Sequence, residues 1–248
     1  MTARILVLGG TGEARRLAAL LQKRYAVVSS LAGRVSNPAL PVGKVRIGGF
    51  GGVEGLTVWL RDNDIDAVID ATHPFASTMT ASAAEATQRL GLPFVVVRRP
   101  PWQPQPGDDW LWVDDIAAVP AVLPGERVFL TTGRTDLAVF ADLDAFWFLV
   151  RTVDPPRPPL PKRCAVILDR GPYTVDGELA LLREHRIDVL VSKNSGGELT
   201  AAKLVAARER RLPVVMVRRP PLPPVETVAS EQEAVHWLRD VIPDSGAA

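Results

Sequence analysis

Short runs of apolar residues alternate with amphipathic segments along this chain. The first run, residues 5–8, ends at a glycine-rich turn over residues 9–12, and an amphipathic segment follows over residues 13–21. A short apolar run is typical of a buried strand, and apolar positions three and four residues apart are typical of a helix that packs on one side. Strand, glycine turn and helix in this order predict the opening unit of a doubly wound α/β fold.

The same alternation continues through the first half of the chain. It predicts further strands at residues 26–31, 44–47, 67–69, 93–97 and 110–113, and helices at residues 53–63 and 76–90. Asp114 is expected to cap a short helix that runs through Val122. In the second half, the proline-rich residues 154–161 predict a stiff surface loop or crossover.

The second half of the chain repeats the first at a spacing of about 120 residues. Residues 187–191 (IDVLV) resemble residues 65–69 (IDAVI), and Val-Arg-Arg-Pro-Pro occurs both at residues 97–101 and at residues 217–221. A match of this kind predicts two similar structural units.

The predicted fold class is therefore α/β, with two similar Rossmann-like units that have parallel sheets and bind cofactor and substrate in the cleft between them. Within the repeat, residues 227–242 are expected to be the counterpart of residues 112–123. We place the boundary after residue 124. Residues 1–124 are then a dinucleotide-binding Rossmann-like domain, and residues 125–248 are a second α/β domain that binds the substrate.

Composition excludes several classes of function. The chain has 248 residues, with 29 Lys and Arg against 28 Asp and Glu and no charged tail, so neither nucleic acid nor a membrane surface is an expected partner. Cys164 is the only cysteine and the three histidines lie far apart in sequence, so neither a disulfide nor a metal site is predicted. The first apolar run is too short for a signal peptide or a membrane span, which predicts a cytoplasmic protein.

The glycine turn has two interpretations. Gly9, Gly10 and Gly12 would let the backbone approach a pyrophosphate at a helix N-terminus. Arg15 stands where the dinucleotide fingerprint has its third glycine, so a plain tight turn stays open as the alternative. Glu13 would repel a pyrophosphate, and we expect it to bond a ribose hydroxyl or a backbone N–H instead.

Two loops of the first half carry further candidate chemistry. Arg34 follows the second predicted strand, where no acidic residue is present to bond a ribose 2′-hydroxyl. An arginine there suits a 2′-phosphate and predicts NADPH rather than NADH, the alternative being a solvated loop arginine. His73 follows the strand at residues 67–69 and is a candidate donor to the nicotinamide or the substrate; the alternative is a histidine that only caps its loop.

Three polar loops follow apolar runs in the second half, at residues 132–134, 169–173 and 192–197. They bring two arginines, a lysine and several hydroxyl and amide groups to strand ends, which suits a carboxylate-rich ligand. A second nucleotide or phosphate is the competing use, because a Ser-Gly-Gly turn before a helix also binds anions.

Six short motifs, taken in order, resemble those of the precorrin-6A reductase family. They are Gly9-Gly10-Thr11 with Glu13-Ala14-Arg15, Ala32-Gly33-Arg34, ATHPFA at residues 71–76, Thr132-Gly133-Arg134, Arg170-Gly171-Pro172, and KNSGG at residues 193–197. The resemblance spans residues 4–240. It implies an NADPH-dependent enzyme of cobalamin biosynthesis that reduces one double bond of the precorrin macrocycle to give precorrin-6B. Tyr173, where phenylalanine is common in the family, is a departure.

The motifs and the resemblance together give the candidate site residues. The candidate catalytic residues are Lys193 and His73, and Tyr173 and bound water stay open beside them as the proton donor. The candidate cofactor-binding residues are Gly9, Gly10, Thr11, Gly12, Glu13, Ser30, Ala32, Gly33, Arg34, Thr72, His73 and Pro74. The candidate substrate-binding residues are Thr132, Gly133, Arg134, Arg170, Tyr173, Lys193, Asn194 and Ser195. The expected partner is the tetrapyrrole precorrin-6A, and a handover of product to neighbouring pathway enzymes is a further expectation.

Two other functions stay open at this point. A non-catalytic NADP(H)-sensing module would explain the first unit but would leave the polar loops of the second unit without a ligand. A two-domain nucleotide-sugar transferase would also enclose a cleft between paired α/β units. Asp169 is the only strand-end carboxylate in the second half that we find for binding its donor.

Overall fold

The computed structural model describes residues 2–33 and 40–242, which form twelve strands and six α helices. In chain order the elements are β1 (Arg4–Leu8), α1 (Gly12–Leu21), β2 (Ala26–Leu31), β3 (Lys44–Ile47), α2 (Gly52–Asp62), β4 (Ala67–Asp70), α3 (Ser77–Leu90), β5 (Phe94–Val97), β6 (Trp110–Val113), β7 (Arg127–Leu130), β8 (Trp147–Thr152), β9 (Cys164–Leu168), α4 (Val175–Glu184), β10 (Val189–Lys193), α5 (Ala202–Glu209), β11 (Val214–Val217), β12 (Glu226–Val228) and α6 (Glu231–Val241). Two 3₁₀ helices, Ile116–Val122 and Leu137–Phe140, precede and follow β7. Among the described helices, none has the length and apolar character needed to cross a membrane.

The elements form two six-stranded sheets, in which every pairing is parallel. The first sheet has the order β12-β5-β4-β1-β2-β3, and the second has the order β6-β11-β10-β7-β8-β9. Each strand of one sheet has a counterpart at the same place in the other. The predicted α/β class and the parallel sheets are confirmed.

The predicted domain boundary at residue 124 is wrong. The first compact unit comprises residues 1–99 and 221–248, and the second comprises residues 100–220. The two repeated strand–helix segments are exchanged, because β6 pairs with β11 in the second sheet and β12 pairs with β5 in the first. The repeat indicates that both segments lie at the same edge of a sheet. It does not show which of the two sheets each segment joins.

In the first unit, alternate residues of the central strand β1 face two helical layers. Ile5 and Val7 pack with α1 and α6, whereas Leu6 and Leu8 pack with α2 and α3. Strands buried on both sides read as continuous apolar runs, which explains why β1 shows no polar alternation.

In the second unit, helices cover mainly one face of the sheet. Phe129 and Leu149 pack with α4 and α5 on that face. Phe148 points to the opposite face, where its ring lies 5.5 Å from that of Phe140 in a 3₁₀ helix. The cap of the other 3₁₀ helix is Asp115, which accepts a hydrogen bond from the Ala118 N–H at 3.0 Å, and not the predicted Asp114. Asp114 instead forms an ion pair with Arg218 at 3.1 Å.

Candidate active site

The glycine turn lies at the carboxyl end of β1, in the middle of the first sheet. Gly10 has φ +115°, which strongly favours glycine, and a Cβ on Gly9 would lie 3.3 Å from the Cβ of Ala14. The Gly9 N–H donates to the Ser30 carbonyl at 2.9 Å, which fixes the turn against the end of β2. The backbone therefore passes close to the first turn of α1, the geometry that an anion at a helix N-terminus requires.

Thr11 is the N-cap of α1. Its hydroxyl accepts from the Ala14 N–H at 3.1 Å and donates to the Ala71 carbonyl at 2.8 Å, so it ties the start of α1 to the end of β4. Both of these bonds are internal to the protein. A contact of Thr11 with a cofactor, as predicted from the sequence, would therefore have to use its backbone or the remaining lone pair of its hydroxyl.

Glu13, in the first turn of α1, forms an ion pair with Arg99 at 3.0 Å. Burial alone would raise the pKa of the Glu13 carboxyl, but the charges of Arg99 and Arg16 and a hydrogen bond from its own backbone N–H outweigh it and lower the pKa. The carboxylate is thus ionised, and its negative charge is offset by Arg99. This pairing reduces the repulsion expected between Glu13 and a pyrophosphate.

The end of β2 has no acidic residue, as its sequence indicates. Gly33 has φ +69°, and a Cβ there would lie 3.2 Å from Ile47 on β3. Arg34, the predicted ligand of a 2′-phosphate, lies outside the described residues. An arginine that sequence reasoning missed stands at the same strand end, since Arg46 on β3 is in register with Ser30 on β2.

The loop after β4 is shaped by a buried carboxylate. Asp70 is fully buried and accepts from the Thr80 hydroxyl at 2.6 Å and from the Thr72 N–H at 2.9 Å. Burial raises the pKa of Asp70, although both threonine hydrogen bonds oppose the rise. The loop presents His73 at the surface, where its Nδ1 accepts from the Phe75 N–H at 3.3 Å. In the neutral imidazole the proton then sits on Nε2, which makes that atom the donor.

In the second unit, the loop after β7 carries three of the predicted substrate ligands. Thr132 is buried, and within the described part of the chain its hydroxyl has no hydrogen-bond partner. Gly133 has φ +90°. The Arg134 guanidinium lies 3.7 Å from the Asp154 carboxylate in the loop after β8, so these two strand ends are linked by charge.

The KNSGG segment at the end of β10 is held by neighbours in its own unit. Lys193 forms an ion pair with Asp136 at 2.5 Å. The side-chain amide of Asn194 accepts from the Trp102 N–H at 2.8 Å and donates to the Trp102 carbonyl at 3.1 Å. Arg219 donates to the Asn194 carbonyl at 2.7 Å and to the Ser195 carbonyl at 3.0 Å. A substrate contact by the Asn194 side chain would have to use its second amide hydrogen.

Tyr173, after β9, lies on a buried arginine. Its ring is 3.7 Å from the guanidinium carbon of Arg151, and its hydroxyl donates to the Asp169 carbonyl at 3.2 Å. Burial raises the pKa of Tyr173, against the opposing charge of Arg151. The loop that carries Arg170 is therefore packed onto the sheet through Tyr173.

The sequence model of the family described as "Precorrin-6x reductase CbiJ/CobK" matches residues 4–239. The chain belongs to this family. A "Precorrin-6A reductase" of Rhodococcus erythropolis is 56% identical over 240 residues, which cover 95% of this chain and 97% of the relative. A "Cobalt-precorrin-6A reductase" of Priestia megaterium is 30% identical over 253 residues, covering 94% and 97%. A solved structure described as "CobK precorrin-6A reductase" superposes with a TM-score of 0.92 at 42% identity, covering 99% of this chain and 100% of that one.

Within the first unit of this family member, the predicted cofactor residues gather at three neighbouring strand ends. The glycine turn ends β1, Ser30 lies near the end of β2, and Thr72 follows β4; in the sheet β1 lies between the other two. Within the second unit, Thr132 and Arg134 follow β7 and Lys193 ends the adjacent strand β10, whereas Arg170 follows the edge strand β9. Each unit thus offers one polar edge at the carboxyl ends of its strands.

Sequence reasoning missed the charged cluster beneath Tyr173. Arg151 on β8 pairs with Glu178 on α4 at 2.8 Å, and both side chains are almost fully buried. Lys203 on α5 is also buried. One signal was available, because Arg151 is a cation within the otherwise apolar run at residues 147–151. A charge inside a strand of this kind is expected to have a buried partner.

Proposed function

We propose that this protein reduces one carbon–carbon double bond of precorrin-6A, with NADPH as the reductant, to give precorrin-6B in cobalamin biosynthesis. The observation that carries the proposal is the parallel-sheet edge of the first unit, where a glycine turn meets the start of α1 and no acid follows β2. Such an edge suits a dinucleotide with a 2′-phosphate. Family membership and the names of the relatives give the reaction class.

The residues of the first unit would hold the cofactor. Gly9 and Gly10 would let the backbone reach the pyrophosphate, with Arg99 offsetting the charge of Glu13. When bound, the nicotinamide would supply a hydride from its C4 atom to an electrophilic carbon of the macrocycle, and a proton would go to the adjacent carbon, so that the two-electron reduction would balance.

Two of the candidate proton donors, His73 and Lys193, have different surroundings. His73 is exposed, and its Nδ1 accepts from the Phe75 N–H. Lys193 is mostly buried and ion-paired with Asp136. We propose Lys193, together with Arg134 and Arg170, mainly as a ligand of substrate carboxylates, and His73 as the donor.

The first test is the reaction itself. Purified protein with NADPH and precorrin-6A should oxidise NADPH in proportion to substrate and give a product that carries two more hydrogens by mass spectrometry. NADPH deuterated at C4 should transfer one deuterium to the product. Binding of NADPH without its oxidation by the tetrapyrrole would instead support a sensing module. If the protein neither binds NADPH nor oxidises it, the proposal is ruled out.

We also propose the cobalt-free macrocycle as the substrate. The relative named for precorrin-6A is 56% identical, whereas the relative named for the cobalt form is 30% identical. A higher kcat/KM with precorrin-6A than with its cobalt complex is the expected result, and the reverse order would contradict it. A cytoplasmic location and a handover of product to the next enzyme stay predictions.

Replacement of Arg170 by alanine is expected to raise the KM for precorrin-6A by about 10- to 100-fold with little change in kcat. A charge-assisted hydrogen bond to a carboxylate is worth about 1.5–3 kcal/mol, and a contact made equally in ground and transition states affects KM. Steady-state kinetics measure both parameters. The matched control is Arg183→Ala, an exposed arginine of α4 in the same unit, which should leave them unchanged. An unchanged KM in Arg170→Ala would remove Arg170 from the substrate site.

A further inference from the structure

Arg46 stands at the place where a dinucleotide fold meets the adenosine ribose. It belongs to β3, but its Nη1 lies 3.5 Å from the hydroxyl of Ser30, its register partner near the carboxyl end of β2. In folds of this type the group that follows β2 contacts the 2′ position of that ribose. A positive charge there selects a phosphate rather than a hydroxyl.

The guanidinium of Arg46 is fixed before any ligand binds. It donates to the Gly48 carbonyl at 2.6 Å and to the Gly49 carbonyl at 2.7 Å, and its carbon lies 3.8 Å from the centre of the Phe50 ring. Gly48 has φ +122°, a conformation that a side chain would strain, so the loop wraps around the arginine in a way that glycine permits. Ordering the side chain in advance lowers the entropy lost on binding.

Among the acids that the structure describes, none balances the charge of Arg46. Within residues 2–33 and 40–242, no carboxylate lies within ion-pair distance of its guanidinium, and every contact of Arg46 is to a carbonyl, a hydroxyl or a ring. Partial burial lowers the pKa of Arg46, as expected for a cation that has lost water without gaining an anion. Its Nε–H makes none of the described hydrogen bonds. A fixed cation with donors to spare and no counter-charge is suited to bind a phosphate.

We propose that Arg46 binds the 2′-phosphate of NADPH and sets the preference of this enzyme for NADPH over NADH. The inference rests on the proposed function, because it assigns one residue of that cofactor site. It gives to Arg46 the part that the sequence suggested for Arg34. Mutation of Arg46 and of Arg34 distinguishes the two assignments, because only the arginine that binds the 2′-phosphate is needed for the preference.

The test uses two small probes that require neither the substrate nor turnover. The probe 2′,5′-ADP carries a 2′-phosphate and a 5′-phosphate, and 5′-AMP differs from it only in lacking the 2′-phosphate. Isothermal titration of the wild type should show tighter binding of 2′,5′-ADP. Arg46→Gln should weaken the binding of 2′,5′-ADP by about 10- to 100-fold, the range for a lost charge-assisted hydrogen bond, while the binding of 5′-AMP changes less than about threefold. Arg46→Lys, which keeps the charge but loses the fork and the stacking, should fall between the two.

The matched control is Arg61→Ala, an exposed arginine at the end of α2 in the same unit, which should bind both probes like the wild type. Equal weakening of both probes in the Arg46 variants would overturn the inference and leave Arg46 as a support of the Gly48–Gly49 loop. Unchanged binding of 2′,5′-ADP in those variants would also overturn it, and Arg34→Ala would then be the variant that loses selectivity. In either case NADPH oxidation by precorrin-6A tests the proposed function separately. Thermal unfolding of each variant confirms that it is folded.

Discussion

Replacement of Gly196 by alanine is expected to destabilise the protein by at least about 3 kcal/mol, because two independent penalties meet at this residue. Gly196 has φ +67°, and the left-handed conformation costs a non-glycine residue about 1–2 kcal/mol. A Cβ there would also lie 2.1 Å from the Pro100 carbonyl oxygen and 2.6 Å from the Arg219 guanidinium. The oxygen belongs to the backbone and cannot rotate away, so the segment at residue 100 or the KNSGG loop must move.

Gly133→Ala separates the two penalties. Gly133 also has a positive φ, +90°, but a Cβ there meets nothing within 4 Å. We therefore expect Gly133→Ala to lose only about 1–2 kcal/mol, the cost of the left-handed conformation. Urea unfolding measures the free energy of each variant, with the slope of the transition compared to detect changes in the unfolded state. Equal losses in the two variants would show that the approach of Pro100 to Gly196 contributes nothing.

The close approach of Pro100 to Gly196 shows which features the sequence predicts and which it does not. The glycine and its motif are visible in the sequence, and so is the predicted turn before a helix. Its neighbours Pro100 and Arg219 lie about 100 and about 20 residues away along the chain, at the two places where the chain passes from one unit to the other. No local pattern identifies such neighbours, so the structural reason for this glycine was out of reach.

The exchanged edge strands illustrate the same limit at the level of the fold. Alternating strands and helices predicted the α/β class and the strands of the first half of the chain, because apolar periodicity is a local property. Pairing of β6 with β11 depends on register across about 100 residues, which periodicity does not encode. The sequence also predicted that polar loops lie at the strand ends. It did not predict the hydrogen-bond and ion-pair partners of Thr11, Asn194 and Lys193.

The buried cluster beneath Tyr173 contains two cations and one anion. Arg151 pairs with Glu178, and Lys203 lies near both within the same helical face of the second sheet. Burial, reinforced by repulsion from Arg151 and opposed by attraction to Glu178, lowers the pKa of Lys203 from 10.5 to about 7. The nitrogen of Lys203 also lies 5.1 Å from the centre of the Trp102 ring. Near neutral pH, the folded protein therefore holds a lysine that loses its proton much more readily than it does in the unfolded chain.

Lys203→Met is expected to raise the free energy of unfolding by several kcal/mol at pH 7 and by much less at pH 10. Each tenfold change in proton affinity is worth about 1.4 kcal/mol, and methionine keeps the length of the buried side chain. Between pH 7 and about 10.5 the unfolded chain holds a proton that folded Lys203 has released, so wild-type stability rises with pH across this window. Urea unfolding at pH 7, 8, 9 and 10 should show the free energies of unfolding of the variant and the wild type converging as the pH rises.

The control is Lys162→Met, at an exposed lysine of the same unit. Its free energy of unfolding should differ from that of the wild type by an amount that does not vary with pH. A difference between Lys203→Met and wild type that stays constant from pH 7 to pH 10 would mean that Lys203 keeps its proton when the protein folds.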